Sequence, residues 1–480
     1  MTRSPAAGRN ERLFLLLAVG LLVAIFVFGG SARADAFNQF FARCAAVLVG
    51  SIALVTLTRA DLRSIKVPFL LCAGWAAIIV LQLVPLPPLI WTALPGRERF
   101  LDLASLAGVS QPWRPLSLVP EATANSALAM LIPLAVLVTL CQVPARRFPV
   151  LLMTLVGFTL ISGLVGVAQV AAGGASYFYD VSNRGDGVGL FANRNHQAVL
   201  LAATVPLLAG LANLKRGDPS NNAYGIFASI VFVLVFPLVF VTGSRSGVLM
   251  LLVGIGLSTL ILVKTKRIGI AVGRLRTQPV LIAGAIAIVL AGTALALFRV
   301  GAVDRMLTQS VQDDLRISLL ETMFDMAKLY FPFGGGFGAF PTLFKVDEPF
   351  FFLNYNYFNH AHNDLVEIVI EGGLLAVLLL LIFFGWIASA TWRLWRAPYQ
   401  SGPHHVYGLV GTAALLILLV ASLADYPLRT PGLAAVAAVL VLFIARADMS
   451  LSSRQAMVDR RRDENSDQMD CDLQPRSAAS

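Results

Sequence analysis

The sequence predicts an all-α integral membrane protein of about twelve transmembrane helices, and three observations carry that prediction. Hydrophobic residues make up 57% of the 480 and charged residues only 13%, with mean hydropathy +0.76; a water-soluble chain of such composition lacks the polar groups to cover its surface. Apolar runs close to the roughly 20 residues that cross about 30 Å of hydrocarbon recur along the chain, which excludes one anchor on a soluble domain. The runs are solid apolar blocks, whereas a membrane barrel shows short alternating segments and an open sheet leaves backbone groups unpaired in lipid.

In order, the spans fall at 13 to 30, 37 to 57, 67 to 87, 124 to 142, 149 to 172, 197 to 213, 224 to 242, 246 to 263, 280 to 298, 364 to 390, 406 to 424 and 431 to 446. The first is followed by Ser31-Ala32-Arg33-Ala34-Asp35-Ala36, small residues of the kind a signal peptidase cuts. Its length exceeds the usual 7 to 15 residues or so of a signal peptide's apolar region, so it reads as a retained anchor; cleavage, the alternative, leaves the orientation of the rest unchanged. Residues 1–298 thus hold membrane helices one to nine, 299–363 a large external loop with short helices, 364–448 helices ten to twelve, and 449–480 a polar tail with the run Arg460-Arg461-Arg462, expected to be disordered.

The formal charge of +10 would suit a nucleic-acid partner if it lay on one domain. Instead the basic residues sit in short loops: Arg59, Arg63 and Lys66; Arg146 and Arg147; Lys215 and Arg216; Lys264 to Arg276; Arg393 and Arg396; and the tail arginines from Arg446. Placing those loops in the cytoplasm accounts for most of the 37 Lys and Arg by positive-inside sorting and puts both termini there. No nucleic-acid partner is read; membrane lipids are the surroundings. The four cysteines, Cys44, Cys72, Cys141 and Cys471, lie in or beside spans or in the tail, and suggest neither a disulfide framework nor a zinc site.

Three external segments are long enough to do chemistry: Pro88 to Thr123, Gly173 to His196 and Arg299 to Asn363. The last has a helix-compatible stretch over Val311 to Tyr330, a glycine turn over Gly334 to Gly338, and an aromatic strip, Phe350 to Phe358, suited to the headgroup belt or to stacking on sugars. With this topology Asn193, Asn195, His196, Arg245, Arg316, His360, His362, Asn363, Asp425 and Arg429 all fall on one side, although lysines and arginines of other loops set it.

Arg245 lies in the tight turn Thr242-Gly243-Ser244-Arg245-Ser246-Gly247, where it reads as an anion ligand or as an arginine snorkelling from a helix end. Arg316 opens an amphipathic helix and could be an ordinary surface residue. A planar guanidinium makes two charge-assisted bonds to a phosphate, so two such residues could hold a pyrophosphate and stabilise it as a leaving group. If a helix begins near His360, then His360, Asp364, Glu367 and Glu371 share one face. Carboxylates that far into an apolar span usually face a cavity, and a neighbouring histidine suits general-base work; the alternative is a polar helix cap with an interhelical network. His360 and His362 as metal ligands lack a third partner, so no metal and no cofactor is read. Asn195 would cap its helix, and Asp425 and Arg429 would pair with each other.

These pieces, in this order, resemble the O-antigen ligase and O-antigen polymerase superfamily of bacterial polytopic membrane glycosyltransferases. The matching segments are Gly189 to Asn195, the Gly-Ser-Arg-Ser-Gly turn, Arg316 before the glycine turn, His360 to Asp364 with Gly372 and Gly373, and Asp425 to Arg429. The resemblance implies a metal-independent, inverting transfer of a glycan from an undecaprenyl pyrophosphate carrier to the hydroxyl of a glycan or lipid-linked acceptor, at the periplasmic face of the bacterial inner membrane. It places Arg245 and Arg316 on the donor pyrophosphate and His362 at the transfer centre, with His360, Asn363, Asp364, Glu367, Asn193, Asn195 and Arg429 as substrate-binding residues. His362, Asn363 and Gly373 fit the ligase pattern, which then expects Gly, Thr or Tyr where this chain has Ala376, so ligase and polymerase both stay open. The rival class is a multispan transporter or flippase for a lipid-linked glycan. Transporters, however, place ionisable groups near the midplane in matching halves, and here they gather at one rim. A scaffold subunit would leave the converging polar groups unexplained.

Overall fold

The computed structural model describes residues 5–172, 176–214, 223–265, 310–350, 353, 358–399 and 403–473, apart from the side chains of 5–10, 310–318, 403, 458 and 461–473. In chain order its elements are α1 (Pro5–Phe28), α2 (Asn38–Val55), α3 (Arg59–Ser64), α4 (Lys66–Leu81), β1 (Pro85–Leu86), α5 (Pro88–Trp91), α6 (Glu98–Leu106), β2 (Arg114–Pro115), α7 (Pro120–Ala129), α8 (Leu131–Leu140), α9 (Phe148–Ala171), α10 (Arg194–Ala212), α11 (Ala223–Val241), α12 (Arg245–Lys264), α13 (Ser310–Tyr330), α14 (Phe340–Asp347), α15 (Asp364–Arg396), α16 (Pro403–Ala421) and α17 (Pro431–Leu473).

Among the described residues, ten helical stretches are long and apolar enough to cross a membrane, α7 and α8 together forming one of them. Ten of the expected spans coincide with these. The span expected at 67 to 87 is the shorter α4, 16 residues, and that expected at 280 to 298 lies outside the described residues. The protein is an all-α integral membrane protein whose only described strands are β1 and β2, a two-residue antiparallel pair that pins the ends of the 88–113 segment.

Helix α10 is the centre of the bundle, with 89% of its span buried, and it packs against α9, α11, α12 and α16. Its alanines allow close approach: a Cβ at Gly247 of α12 would collide with Ala198, and one at Gly254 would reach the Ala202 carbonyl. Small residues at facing positions are how helices gain van der Waals contact in lipid, where apolarity alone gives no drive to associate. Helices α1, α2, α8 and α17 pack as a second group, while α4 and α13 flank α15.

At one end of the bundle the basic residues are tied to backbone and carboxylates. Lys264 donates to the carbonyls of Trp395 and Ala397, Arg446 to those of Cys141 and Val143, and Arg393 grips Asp448 with both arms. The tail departs from expectation, because α17 continues to Leu473. Residues 449–473 contain no Pro or Gly, and Gln455 bonds Asp459 one turn on, so a helix already anchored in the bundle can propagate through polar sequence.

Candidate functional site

At the opposite end, the loops between α9 and α10, α11 and α12, α14 and α15, and α16 and α17 meet. Three side-chain caps fix where the helices begin. Asn193 accepts from the Asn195 N–H to open α10, Ser244 accepts from the Gly247 N–H to open α12, and Asn363 accepts from the N–H groups of Leu365 and Val366 to open α15. Each satisfies a backbone donor that a helix start leaves free. Asn193, not Asn195, is therefore the cap of α10, which leaves the Asn195 side chain for another task.

That task is to join two loops. Asn195 accepts from Ser244 Oγ at 2.8 Å and donates to Asp425 Oδ2 at 2.7 Å. Asp425 Oδ1 accepts the Tyr426 N–H at 2.9 Å and lies 3.3 Å from His362 Nδ1 and 3.8 Å from His196 Nε2. Burial works to raise the Asp425 carboxyl, but His362, His196 and Asn195 outweigh it and hold the group well below the usual carboxylate range. Asp425 is thus buried facing Asn195, His362 and His196, and it does not pair with Arg429 as expected.

Arg429 sits in the 3-10 turn Pro427–Arg429 and turns to α15 instead. Its guanidinium meets Asp364 at 3.0 Å, Glu367 at 3.0 Å and Glu371 at 2.9 Å. The expectation that these carboxylates share one face holds, since their spacing turns all three inward. Burial opposes the Arg429 charge, and the carboxylates override it, so its pKa rises above the ordinary value. His360 is not on that helix, which starts at Asp364; it reaches Glu367 from the preceding loop, Nδ1 to Oε1 at 2.8 Å. The loop reverses at His362, whose φ of 51° is a left-handed conformation unusual for a side chain with a Cβ.

The ring of Tyr426 stands among three histidines, with centroids 4.2 Å from His360, 5.0 Å from His196 and 5.1 Å from His362. Side-chain exposure separates them: 2% for His196, 11% for His360 and 21% for His362. Only His362 of the three offers appreciable surface to a substrate. His196 instead bonds Thr430 through Nδ1 at 2.8 Å.

Helix α15 is broken at Gly373, where φ is 59° and ψ −152°. The glycine turn expected from sequence enters that break: Gly335 and Gly336 donate to the carbonyls of Ile370 and Glu371, and Leu374 donates to Pro332. Gln82, just past the end of α4, locks the junction, donating to the Glu371 carbonyl and accepting from the Phe337 N–H. A Cβ at Gly334 would strike the Glu371 carbonyl. The glycines are there for close backbone approach, and the first nine residues of α15, which carry the carboxylates, are set apart from the rest of the span.

Arg245 opens α12 directly after Ser244 and is exposed. Arg316 lies on α13, but its side chain is outside the described residues. Among the described residues, then, His360, Asp364, Glu367 and Arg429 form one cluster, while Asn195 and His362 belong to a second; Asn193 and Asn363 act as caps. Sequence reasoning left Asp425 and Glu371 out of the substrate-binding set. Glu371 shares the inward face that spacing gives to Asp364 and Glu367, whereas the place of Asp425 depends on how α16 and α17 bring the 425–430 turn against α15, a contact with no local signature.

No curated protein matches the chain significantly. Residues 230–381 match the family model described as O-antigen ligase, a segment that runs from α11 to the middle of α15 and contains Arg245, Arg316 and His362. Asn195, Asp425 and Arg429 lie outside the matched segment and are folded onto it. Over that segment, and in the ordered motifs around it, the chain is similar to the O-antigen ligase family.

Proposed function

We propose that the protein is an inverting, metal-independent glycosyltransferase that moves a glycan from an undecaprenyl pyrophosphate carrier to an acceptor hydroxyl at the periplasmic face of the inner membrane, as an O-antigen ligase or a polysaccharide polymerase. The observation that carries the reading is the pairing of His362, the most exposed of the three histidines, with the buried Asp425 carboxylate at 3.3 Å. A carboxylate on Nδ1 orients the imidazole and leaves Nε2 to accept a proton.

The acceptor hydroxyl attacks the anomeric carbon as the bond to the carrier phosphate breaks, and His362 takes the hydroxyl proton. The anionic pyrophosphate leaves with the lipid, stabilised by Arg245 at the capped start of α12 and by Arg316. Attack opposite the leaving group inverts the anomeric centre. Transfer from a carrier-linked glycan to a panel of acceptors, measured in EDTA with purified protein, tests this. Wild type is expected to transfer, and Arg245→Ala and His362→Ala to lose it. Movement of carrier-linked glycan between leaflets with no transfer to any acceptor would instead identify a flippase.

A further inference from the structure

Glu367 is fully buried, and its two oxygens receive three partners. Oε2 accepts the Ala361 N–H at 2.7 Å; Oε1 meets His360 Nδ1 at 2.8 Å and Arg429 Nη1 at 3.0 Å. Both residues it holds from the preceding loop come immediately before His362, the residue with φ 51°. A left-handed residue bearing a Cβ persists only when its surroundings over-determine it. On the far side the chain is held by the Asn363 cap and by the Asp364 N–H bonded to the Ser422 carbonyl at 2.9 Å. His362 is therefore gripped before and after, and Glu367 is the grip before.

We infer that Glu367, charge-balanced by Arg429, is a positioning residue that holds the 360–361 segment so that His362 meets Asp425 and the acceptor, rather than a residue that binds substrate. The inference rests on the transferase reading above. Its chemistry is specific to a carboxylate. The Ala361 N–H and the Arg429 guanidinium can only donate, and they approach different oxygens of Glu367. A glutamine of the same shape has one oxygen, so either orientation sets its amide N–H against one of those donors. Aspartate keeps the charge opposite Arg429 but withdraws the carboxylate from the loop.

The test compares wild type, Glu367→Gln and Glu367→Asp in the transfer assay. For each variant it counts donor-binding sites per protein with the carrier-linked glycan and checks the monodisperse peak on size exclusion. The expected result for both is a kcat at least tenfold lower per donor-binding site, with donor KM within about twofold of wild type, the signature of lost transition-state stabilisation. A raised donor KM at unchanged kcat would make Glu367 a substrate ligand and overturn the inference. So would wild-type kcat in either variant. If Glu367→Gln does not fold, Glu367→Asp decides alone. Inactive wild type would sink the transferase reading itself, and the inference with it; active wild type with unaffected variants sinks only the inference.

Discussion

A carboxylate buried as deeply as Asp425 resists ionisation unless its surroundings offset the burial; here Asn195 and the Tyr426 N–H donate to it and His362 and His196 lie close by. Replacing it with asparagine keeps the shape but removes the charge that faces His362 Nδ1. Asp425→Asn is expected to lower kcat by about 10²- to 10⁴-fold, the usual worth of an oriented acid–base group, with little change in donor KM; steady-state kinetics would show it. Because the folded carboxyl sits below its unfolded value of about 3.9, its contribution to stability is complete above that value and is lost as pH falls through the folded one. Detergent-solubilised wild type should lose melting temperature in acid more steeply than Asp425→Asn. Arg429 behaves differently: it is the counter-ion of three buried carboxylates, and removing one partner of a buried pair typically costs about 3–5 kcal/mol. Arg429→Ala should therefore fail first in thermal stability, measured by a melt in detergent, before any kinetic question arises.

At the scale of elements, the break in α15 is the feature on which the site depends. The span is apolar enough to continue straight through, yet Gly373 turns it, and the backbone of the 334–336 turn supplies bonding partners at the gap. A Cβ at Gly373 would strike the Pro332 carbonyl, and its φ of 59° is unfavourable for any other residue. Gly373→Ala is expected to destabilise the protein by roughly 1–3 kcal/mol from backbone strain, with a further loss from the collision. Gly385, lower in the same helix, has open space where its Cβ would go, so Gly385→Ala should leave the melting temperature unchanged or slightly raise it.

Across the whole molecule, charge and chemistry separate to opposite ends. Lys264, Arg393 and Arg446 hold one end, while Asp425, Arg429 and the histidines gather at the other. Positive-inside sorting assigns the first end to the cytoplasm. Single cysteines in a cysteine-free background check the orientation: one at Arg184 should label with a membrane-impermeant maleimide from the periplasm of intact cells, and one at Met457 only after lysis. The reverse pattern would turn the protein over and move the proposed transfer to the cytoplasmic face.

Local sequence was enough to specify ten of the spans, because a membrane-crossing helix announces itself by length and composition alone. It was also enough to name the glycine turn and the inward face of Asp364, Glu367 and Glu371, since each follows from neighbours within a few residues, whereas His362 was named through the resemblance to a family. Partner choice was not legible. Asp425 and Arg429 lie four residues apart and look like a pair, but the turn between α16 and α17 sends one to the histidines and the other to α15. Asn195 was readable as a helix cap, yet Asn193 takes that role and frees it to bridge Ser244 and Asp425. The break of α15 needed a second segment to occupy it, 330–340, which only folding delivers. Hydrophobicity is a property of each run of residues, whereas electrostatic pairing depends on which loops meet, and tertiary structure alone decides that.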